Sequence, residues 1–302
     1  MRTKLSLDFQ AEQPHIVVLG CFDGVHKGHT ALIREARRIA AGASLPLAVF
    51  SFSEPPKSFF SSEPIPLLTS LEEKKRIMKS LGVDLFVCLP FDRAIASIEA
   101  EQFFYEILKK RLAASFILCG FNYRFGNRGI GSTELLSKLC KENGIGLSVV
   151  SPIEIDGTPV SSSAIRRALE EGDVKGAASL LGRPYSICST VINGQHLGRT
   201  LGFPTVNQIF EERLITPKNG VYLSRIRIGN TVKKGVTNVG VRPTVDGQTL
   251  CAETHIFDFD GDLYGKRIRV EFLEFIRSEQ KFNSVEDLSA QVHRDIEKAK
   301  NM

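Results

Sequence analysis

The sequence predicts two architectures joined end to end: an α/β half on a parallel sheet, then an antiparallel sheet or small barrel with a terminal helix. Three observations carry this. Over the first ~180 residues, short apolar runs alternate with segments of helical periodicity, the pattern of a parallel sheet covered on both faces. From Gly182-Arg-Pro184 onward, strand-like segments follow one another without intervening helices. The length, 302 residues, suits about two domains, and the change of texture sets them at 1–183 and 184–302.

The apolar runs at 16–19, 47–52, 83–89, 116–119 and 147–150 read as buried strands. After the first of them, Leu32, Ala36 and Ile39 share one helical face. Ser70 with Glu73 forms a capping box that opens the next helix, and Gly82 ends it. Helices are expected over 99–112 and 133–142, the latter stopped by Asn143 and Gly144. In the second half, 185–192 and 221–228 read as strands, with a hairpin signal at Gly229-Asn230. Segments 253–259 and 267–276 flank a second turn at Asp260-Gly261. Ser284 opens a final helix with Leu288, Val292, Ile296 and Ala299 along one side.

Composition narrows the class. The chain is 42% hydrophobic and 24% charged, ordinary globular material, and its net charge of +5 suits anionic ligands. No long Lys/Arg run marks a nucleic-acid partner. The six cysteines are scattered without a CxxC pair, as expected of buried thiols in a reducing compartment rather than of a zinc site. The N-terminus has no apolar signal core, and no apolar run approaches the ~18 residues of a membrane span. A cytoplasmic protein without membrane contact is expected; no oligomeric state is read from the chain.

The strongest local signal is Gly20-Cys-Phe-Asp-Gly-Val-His-Lys-Gly-His29, between the first strand and its helix. A helix N-terminus presents unpaired N–H groups and partial positive charge, and His26 and His29 add donors there. Gly24 and Gly28 let the backbone approach phosphates. The other reading is a capped helix with incidental histidines. Two more segments could converge on a nucleotide. Val160-Ser-Ser-Ser-Ala-Ile-Arg166 sets hydroxyls and Arg166 at a helix start, as a cap or as a phosphate grip. Gly120-Phe-Asn-Tyr-Arg-Phe-Gly126 follows a strand, as a plain turn or as a contact for a planar ligand.

The second half has its own candidates. Gly194-Gln-His-Leu-Gly-Arg-Thr-Leu-Gly-Phe-Pro-Thr-Val-Asn207 is glycine-rich and could wrap N–H groups around phosphate. Thr205 and Asn207 project to one side of an extended segment, where their oxygens suit Mg²⁺; a polar turn is the alternative. Glu253 stands in strand-like alternation, either facing solvent or placed to accept a hydroxyl proton. Gly261-Asp-Leu-Tyr-Gly-Lys266 has the wrong spacing for a P-loop.

Taken in order, these motifs resemble the bacterial bifunctional riboflavin kinase/FAD synthetase family. The 20–29 loop, the Asn122 loop, Ser162-Ser-x-x-Ile-Arg166, Thr69-Ser-Leu-Glu-Glu-Lys74 and Leu89-Pro-Phe-Asp92 are similar to its adenylyltransferase half. Gly-Arg-x-Leu-Gly-Phe-Pro-Thr-x-Asn at 198–207, Gly220-Val-Tyr222, Asn238-Val-Gly-Val-Arg-Pro-Thr244 and the run from Glu253 are similar to its kinase half. The resemblance implies a Rossmann-like nucleotidyltransferase domain and a six-stranded antiparallel β-barrel with a terminal helix. It implies ATP, riboflavin and FMN as substrates, Mg²⁺ as cofactor, and FMN and FAD as products. By the same carry-over, His26, His29, Gly20, Phe22, Asp23, Gly24, Gly28, Ser162, Ser163 and Arg166 serve ATP in the first half. Gly198, Arg199 and Gly202 would hold phosphates in the second, Thr205 and Asn207 Mg²⁺, and Glu253 would be the base. Asn122 and Arg277 would meet flavin, Arg277 opening the segment similar to the family's flavin cover. One position departs: Pro55 stands where the family commonly carries a histidine, which motivates the rival reading of a kinase with an impaired adenylyltransferase half. A non-catalytic flavin- or nucleotide-binding regulator is the third.

Overall fold

The computed structural model describes residues 1–155, 157–193, 202–244 and 247–302, with the side chains of 242–244, 247 and 248 left aside. The chain divides into two compact units, Met1–Ser162 and Ser163–Met302.

The first unit is built on β1 (Arg2–Lys4), β2 (His15–Leu19), α1 (Lys27–Ala43), β3 (Leu47–Phe52), α2 (Leu71–Ser80), β4 (Leu85–Leu89), β5 (Ala114–Gly120), α3 (Thr133–Glu142) and β6 (Gly146–Val150). Its six-stranded sheet runs β1-β4-β3-β2-β5-β6, with every neighbouring pair parallel. Successive side chains point to opposite faces of a strand, so one sheet feeds two cores. Ile16, Val18, Val49 and Phe86 pack with Leu32, Ile33 and Ala36 of α1 and with Ile77 and Met78 of α2. Val17, Leu19, Phe50 and Val87 pack on the other face with Phe103, Phe104, Leu136 and Leu139. A side chain as fully buried as Ile33 contributes about 1.5–3 kcal/mol.

Caps fall where the sequence places them. The Ser70 hydroxyl accepts from the Glu73 N–H at 3.3 Å, and α3 ends at Asn143. The helix expected over 99–112 differs: a single turn at Ala100–Gln102 runs into a π-helix at Phe103–Arg111. The Leu112 N–H reaches back five residues to the Ile107 carbonyl at 2.9 Å. Phe103, Phe104, Ile107, Leu108 and Leu112 all enter the core from this segment. Gly126 has φ +75°, and a Cβ there would lie 2.6 Å from the Ala100 Cα, so glycine alone lets the 120–131 loop close on this helix.

A short pairing of β7 (Glu154–Ile155) with β8 (Thr158–Pro159) leads to α4 (Ser162–Glu171) and α5 (Val174–Leu181), of which α5 was not foreseen. The second unit then holds β9 (Tyr185–Thr190), β10 (Thr205–Ile209), β11 (Gly220–Ile228), β12 (Thr231–Thr244), β13 (Gly247–Ile256), β14 (Arg267–Ser278) and α6 (Val285–Lys300). Its sheet runs β10-β13-β12-β11-β14-β9, entirely antiparallel. The end strands approach each other: Ile192 bridges Asn207, and the Gln208 amide donates to the Ser189 carbonyl at 2.8 Å. That contact bends the sheet into a six-stranded barrel. Ile228 pairs with Thr231 across the two-residue loop expected at Gly229-Asn230. Ser284 caps α6 by accepting from the Asp287 N–H at 3.0 Å, and Ile296 and Ala299 sit in a core with Val221, Leu223 and Phe257.

Candidate active sites

In the first unit the order of strands reverses at β2: the chain leaves it outward through β3 and β4, then returns to β5 and β6 on its other side. Such a switch point leaves a crevice beyond the carboxyl ends of β2 and β5. A cleft of about 390 Å³ lies there, lined by Gly20, Cys21, His26, Gly28, His29, Asn122 and Ser162, with Phe52, Pro56 and Tyr123.

The loop from Gly20 to α1 is tightly wound. Phe22, Gly24 and Val25 have φ of 53°, 80° and 39°. The left-handed region costs a non-glycine residue about 1–2 kcal/mol, which the surroundings must offset. Here Phe22 and Val25 are fully buried in the core under α1. His26 then caps α1, its Nδ1 accepting from the His29 N–H at 3.3 Å. The two imidazoles stack with centroids 3.6 Å apart at 15°, and Phe22 meets His29 edge-on at 5.0 Å. A Cβ on Gly28 would press within 3.2 Å of the His26 ring, so the missing side chain preserves the stack. The result is a pair of nitrogen heterocycles held over a helix N-terminus, a natural seat for phosphate oxygens.

The structure sorts the residues expected here. Gly20, His26, Gly28, His29, Ser162 and Asn122 share the cleft. Phe22, Asp23 and Gly24 stand behind it. Phe22 is core; the Asp23 carboxylate accepts from the Leu68 N–H at 3.0 Å; the Gly24 N–H donates to the Thr69 hydroxyl at 3.2 Å. The Ser162 hydroxyl donates to the Asp23 carbonyl at 2.9 Å, tying the cleft's far wall to the loop. Ser163, exposed, and Arg166, half-buried on α4, belong to the other unit. Pro55 caps the single turn Pro56–Phe59 without a side-chain hydrogen bond, and its neighbour Pro56 is the proline that lines the cleft. Cys21 also lines it; burial raises its thiol to about 11, so it stays neutral near pH 7.

In the second unit the register assembles a site no local motif could show. Asn207 on β10 pairs with Glu253 on β13, and Glu253 with Asn238 on β12. Asn238 pairs with Val221 on β11, and Val221 with Arg277 on β14. One row across five strands therefore carries Asn207, Glu253, Asn238 and Arg277. Two cavities flank it. One of about 460 Å³ is lined by Thr205, Asn207, Asp260, Asp262 and Tyr264. The other, about 240 Å³, is lined by Thr205, Asn238, Glu253, His255, Arg277 and Phe282. Thr205 belongs to both.

Arg277 lines the smaller cavity together with Asp295, the partner of its guanidinium. Its Nε and Nη2 donate to the Asp295 carboxylate at 2.9 and 2.7 Å, and Gln291 donates to the same carboxylate at 2.9 Å. This ion pair fastens α6 to β14. Gly202 is an exposed turn residue with φ +85°. Gly198 and Arg199 lie outside the described residues. For a divalent cation, the Thr205 hydroxyl and Asn207 amide offer two oxygens on one side of a strand beside a cavity, which fits an ion that takes few protein ligands and completes its shell from phosphate and water. Among the described residues no group of three or more His, Cys, Asp or Glu gathers as a metal cage.

Sequence reasoning passed over Asn238 as a site residue, although it opens a quoted motif; its signal is the register opposite Glu253, invisible before strands are paired. It also passed over the contacts of Leu68, Thr69 and Lys74 with the 20–26 loop, whose signal was only the Thr69–Lys74 motif.

Comparison with known proteins supplies two family matches: FAD synthetase over residues 8–164 and riboflavin kinase over 181–302. A bifunctional riboflavin kinase/FMN adenylyltransferase of Escherichia coli K12 is 38% identical over 282 residues, covering 93% of this chain and 90% of that protein. One of Bacillus subtilis 168 is 35% identical over 289 residues, covering 94% and 91%. A crystal structure described as a macrolide-efflux protein from Streptococcus pneumoniae superposes with a TM-score of 0.90 at 34% identity, over 100% of both chains. Among the described residues of the present chain, no helix is long and apolar enough to cross a membrane.

Proposed function

We propose how two sites divide the work of this chain, which belongs to the bifunctional riboflavin kinase/FMN adenylyltransferase family. It is a transferase that uses ATP to convert riboflavin to FMN and FMN to FAD.

In the kinase domain, riboflavin occupies the smaller cavity and the ATP phosphates the larger, with the γ-phosphoryl group beside Thr205. The 5′-hydroxyl of riboflavin attacks the γ-phosphorus, Glu253 accepts its proton, and ADP leaves. Asn238, next to Glu253 in the register, orients the carboxylate or the hydroxyl. Thr205 and Asn207 would hold Mg²⁺, which when bound neutralises phosphate charge. Arg277 holds the flavin cavity's wall through Asp295.

In the adenylyltransferase domain, the ATP triphosphate lies over the N-terminus of α1. A phosphate oxygen of FMN attacks the α-phosphorus and pyrophosphate leaves. His26 and His29 donate to the charge that builds on the phosphates, a task fixed donors perform better than mobile water. Gly20 and Gly28 allow close approach, Ser162 closes the wall opposite, and Asn122 meets the flavin end. Gly198, Arg199 and Gly202 would serve the kinase phosphates. We set the functional boundary near residue 183, which fits a riboflavin kinase match starting at 181. The six free thiols support work in a reducing cytoplasm.

The observation that carries this division is that Thr205 lines both cavities of the kinase domain, while the stacked histidines line a separate cleft in the other. Glu253→Gln tests it. FMN formation should fall by about 10²-fold or more, while FAD formation from supplied FMN stays at the wild-type rate. Unchanged FMN formation would remove Glu253 from the role of base.

A further inference from the structure

Lys74 is 1% exposed, yet it is a lysine. Its ammonium donates to the Cys21 carbonyl at 3.2 Å and the Phe52 carbonyl at 2.9 Å, backbone groups rather than a carboxylate. Burying a charge is costly unless its partners are well placed, so a lysine here requires a reason. The two carbonyls mark it: Cys21 stands in the loop beyond β2, and Phe52 ends β3, so both border the cleft.

Neighbours of Lys74 hold the same loop. The Leu68 N–H donates to the Asp23 carboxylate, and the Thr69 hydroxyl accepts from the Gly24 N–H. Ser51 adds a second donor to the Cys21 carbonyl at 2.7 Å. Residues 21, 23 and 24 are thus each gripped from 68–74, in the stretch that carries the left-handed φ values of Phe22, Gly24 and Val25. A backbone so wound persists only where its surroundings over-determine it. The loop ends at His26, whose ring and cap set the donors over the helix start.

The geometry points to the 68–74 segment as a clamp on the phosphate loop, with Lys74 a positioning residue for adenylyl transfer. Lys74 does not touch the cleft; it acts through Cys21 and Phe52. Its charge also lies behind a loop that must receive a triphosphate, so the anion's arrival offsets part of the cost of burying it. This rests on the reading of the cleft as the ATP site.

The test uses the full chain, whose kinase activity reports on the other domain. Lys74→Met removes both hydrogen bonds and the charge at similar length. Thr69→Val removes the acceptor for Gly24 at nearly constant shape, and Thr69→Ser restores it. With Lys74→Met and Thr69→Val, kcat for FAD formation should fall about tenfold or more, since small misplacements of reacting groups have that effect. The KM for FMN should move by no more than about twofold, and Thr69→Ser should regain the rate. FMN formation should be unchanged. Should Lys74→Met prove unstable, the Thr69 pair decides alone. FAD formation within about twofold of wild type in Thr69→Val, while His29→Ala abolishes it, would overturn the clamp. Full FAD formation in His29→Ala as well would overturn the cleft's assignment instead.

Discussion

His29 is the side chain on which the proposed adenylyltransferase site turns. Its ring lies flat against His26 at 3.6 Å and its N–H is held by that ring, so neither can shift alone. His29→Ala should cut the rate of FAD formation by about 10²–10³-fold, as loss of an oxyanion donor does, and leave FMN formation unaltered. Steady-state rates of the two half-reactions on one preparation measure this. At this scale the sequence was partly legible. The spacing of His26 and His29 placed both at a helix start, and Thr205 with Asn207 followed from period-two alternation. What it hid were groups turned inward: the Phe22 ring, the Asp23 carboxylate and the Gly24 N–H are as much part of the motif as the histidines, yet they build the wall behind the cleft.

Two elements carry consequences of their own. β2 begins at His15, fully buried, with Nδ1 2.8 Å from the Gln13 carbonyl and Nε2 without a hydrogen-bond partner. Desolvation is the largest influence and lowers its pKa below the ordinary 6.5. Above pH 6.5 the imidazole is neutral in folded and unfolded chains alike, and nothing is lost. As pH falls through 6.5, the unfolded chain takes up a proton that the folded one resists, so stability declines toward the lowered folded value. Thermal melts should therefore show the first unit weakening between pH 7 and 5, and His15→Gln should flatten that slope. α6 depends on a different group. Asp295, with a side chain 4% exposed, holds Arg277, 17% exposed. Asp295→Ala leaves a half-buried guanidinium without its partner and should cost about 3 kcal/mol by denaturant titration, with a raised KM for riboflavin.

Element boundaries were most legible where one signal dominated. β3 and α3 fall on the residues that periodicity and caps assign, 47–52 and 133–142. The π-winding of Phe103–Arg111 was not, because apolar residues spaced as Phe103, Phe104, Ile107 and Leu108 are read as an ordinary helical stripe. The first half of β13 was missed as well: its start at Gly247 is defined by pairing with Thr244, which no local pattern announces.

At the scale of the whole molecule, alternation of strand and helix in one half and of strand and turn in the other already separated the two architectures. Pairing order was not legible. The switch point at β2 and the row from Asn207 to Arg277 exist only once strands far apart in sequence are neighbours. Those two facts gather the scattered motifs around one candidate site in each unit. Both sites are expected to turn over, in order, on one chain. The direct measurement is a time course of FMN and FAD from riboflavin, ATP and Mg²⁺. FMN should appear first and FAD after a lag, with FAD growing at the expense of FMN. Accumulation of FMN with no FAD at any enzyme concentration would contradict it.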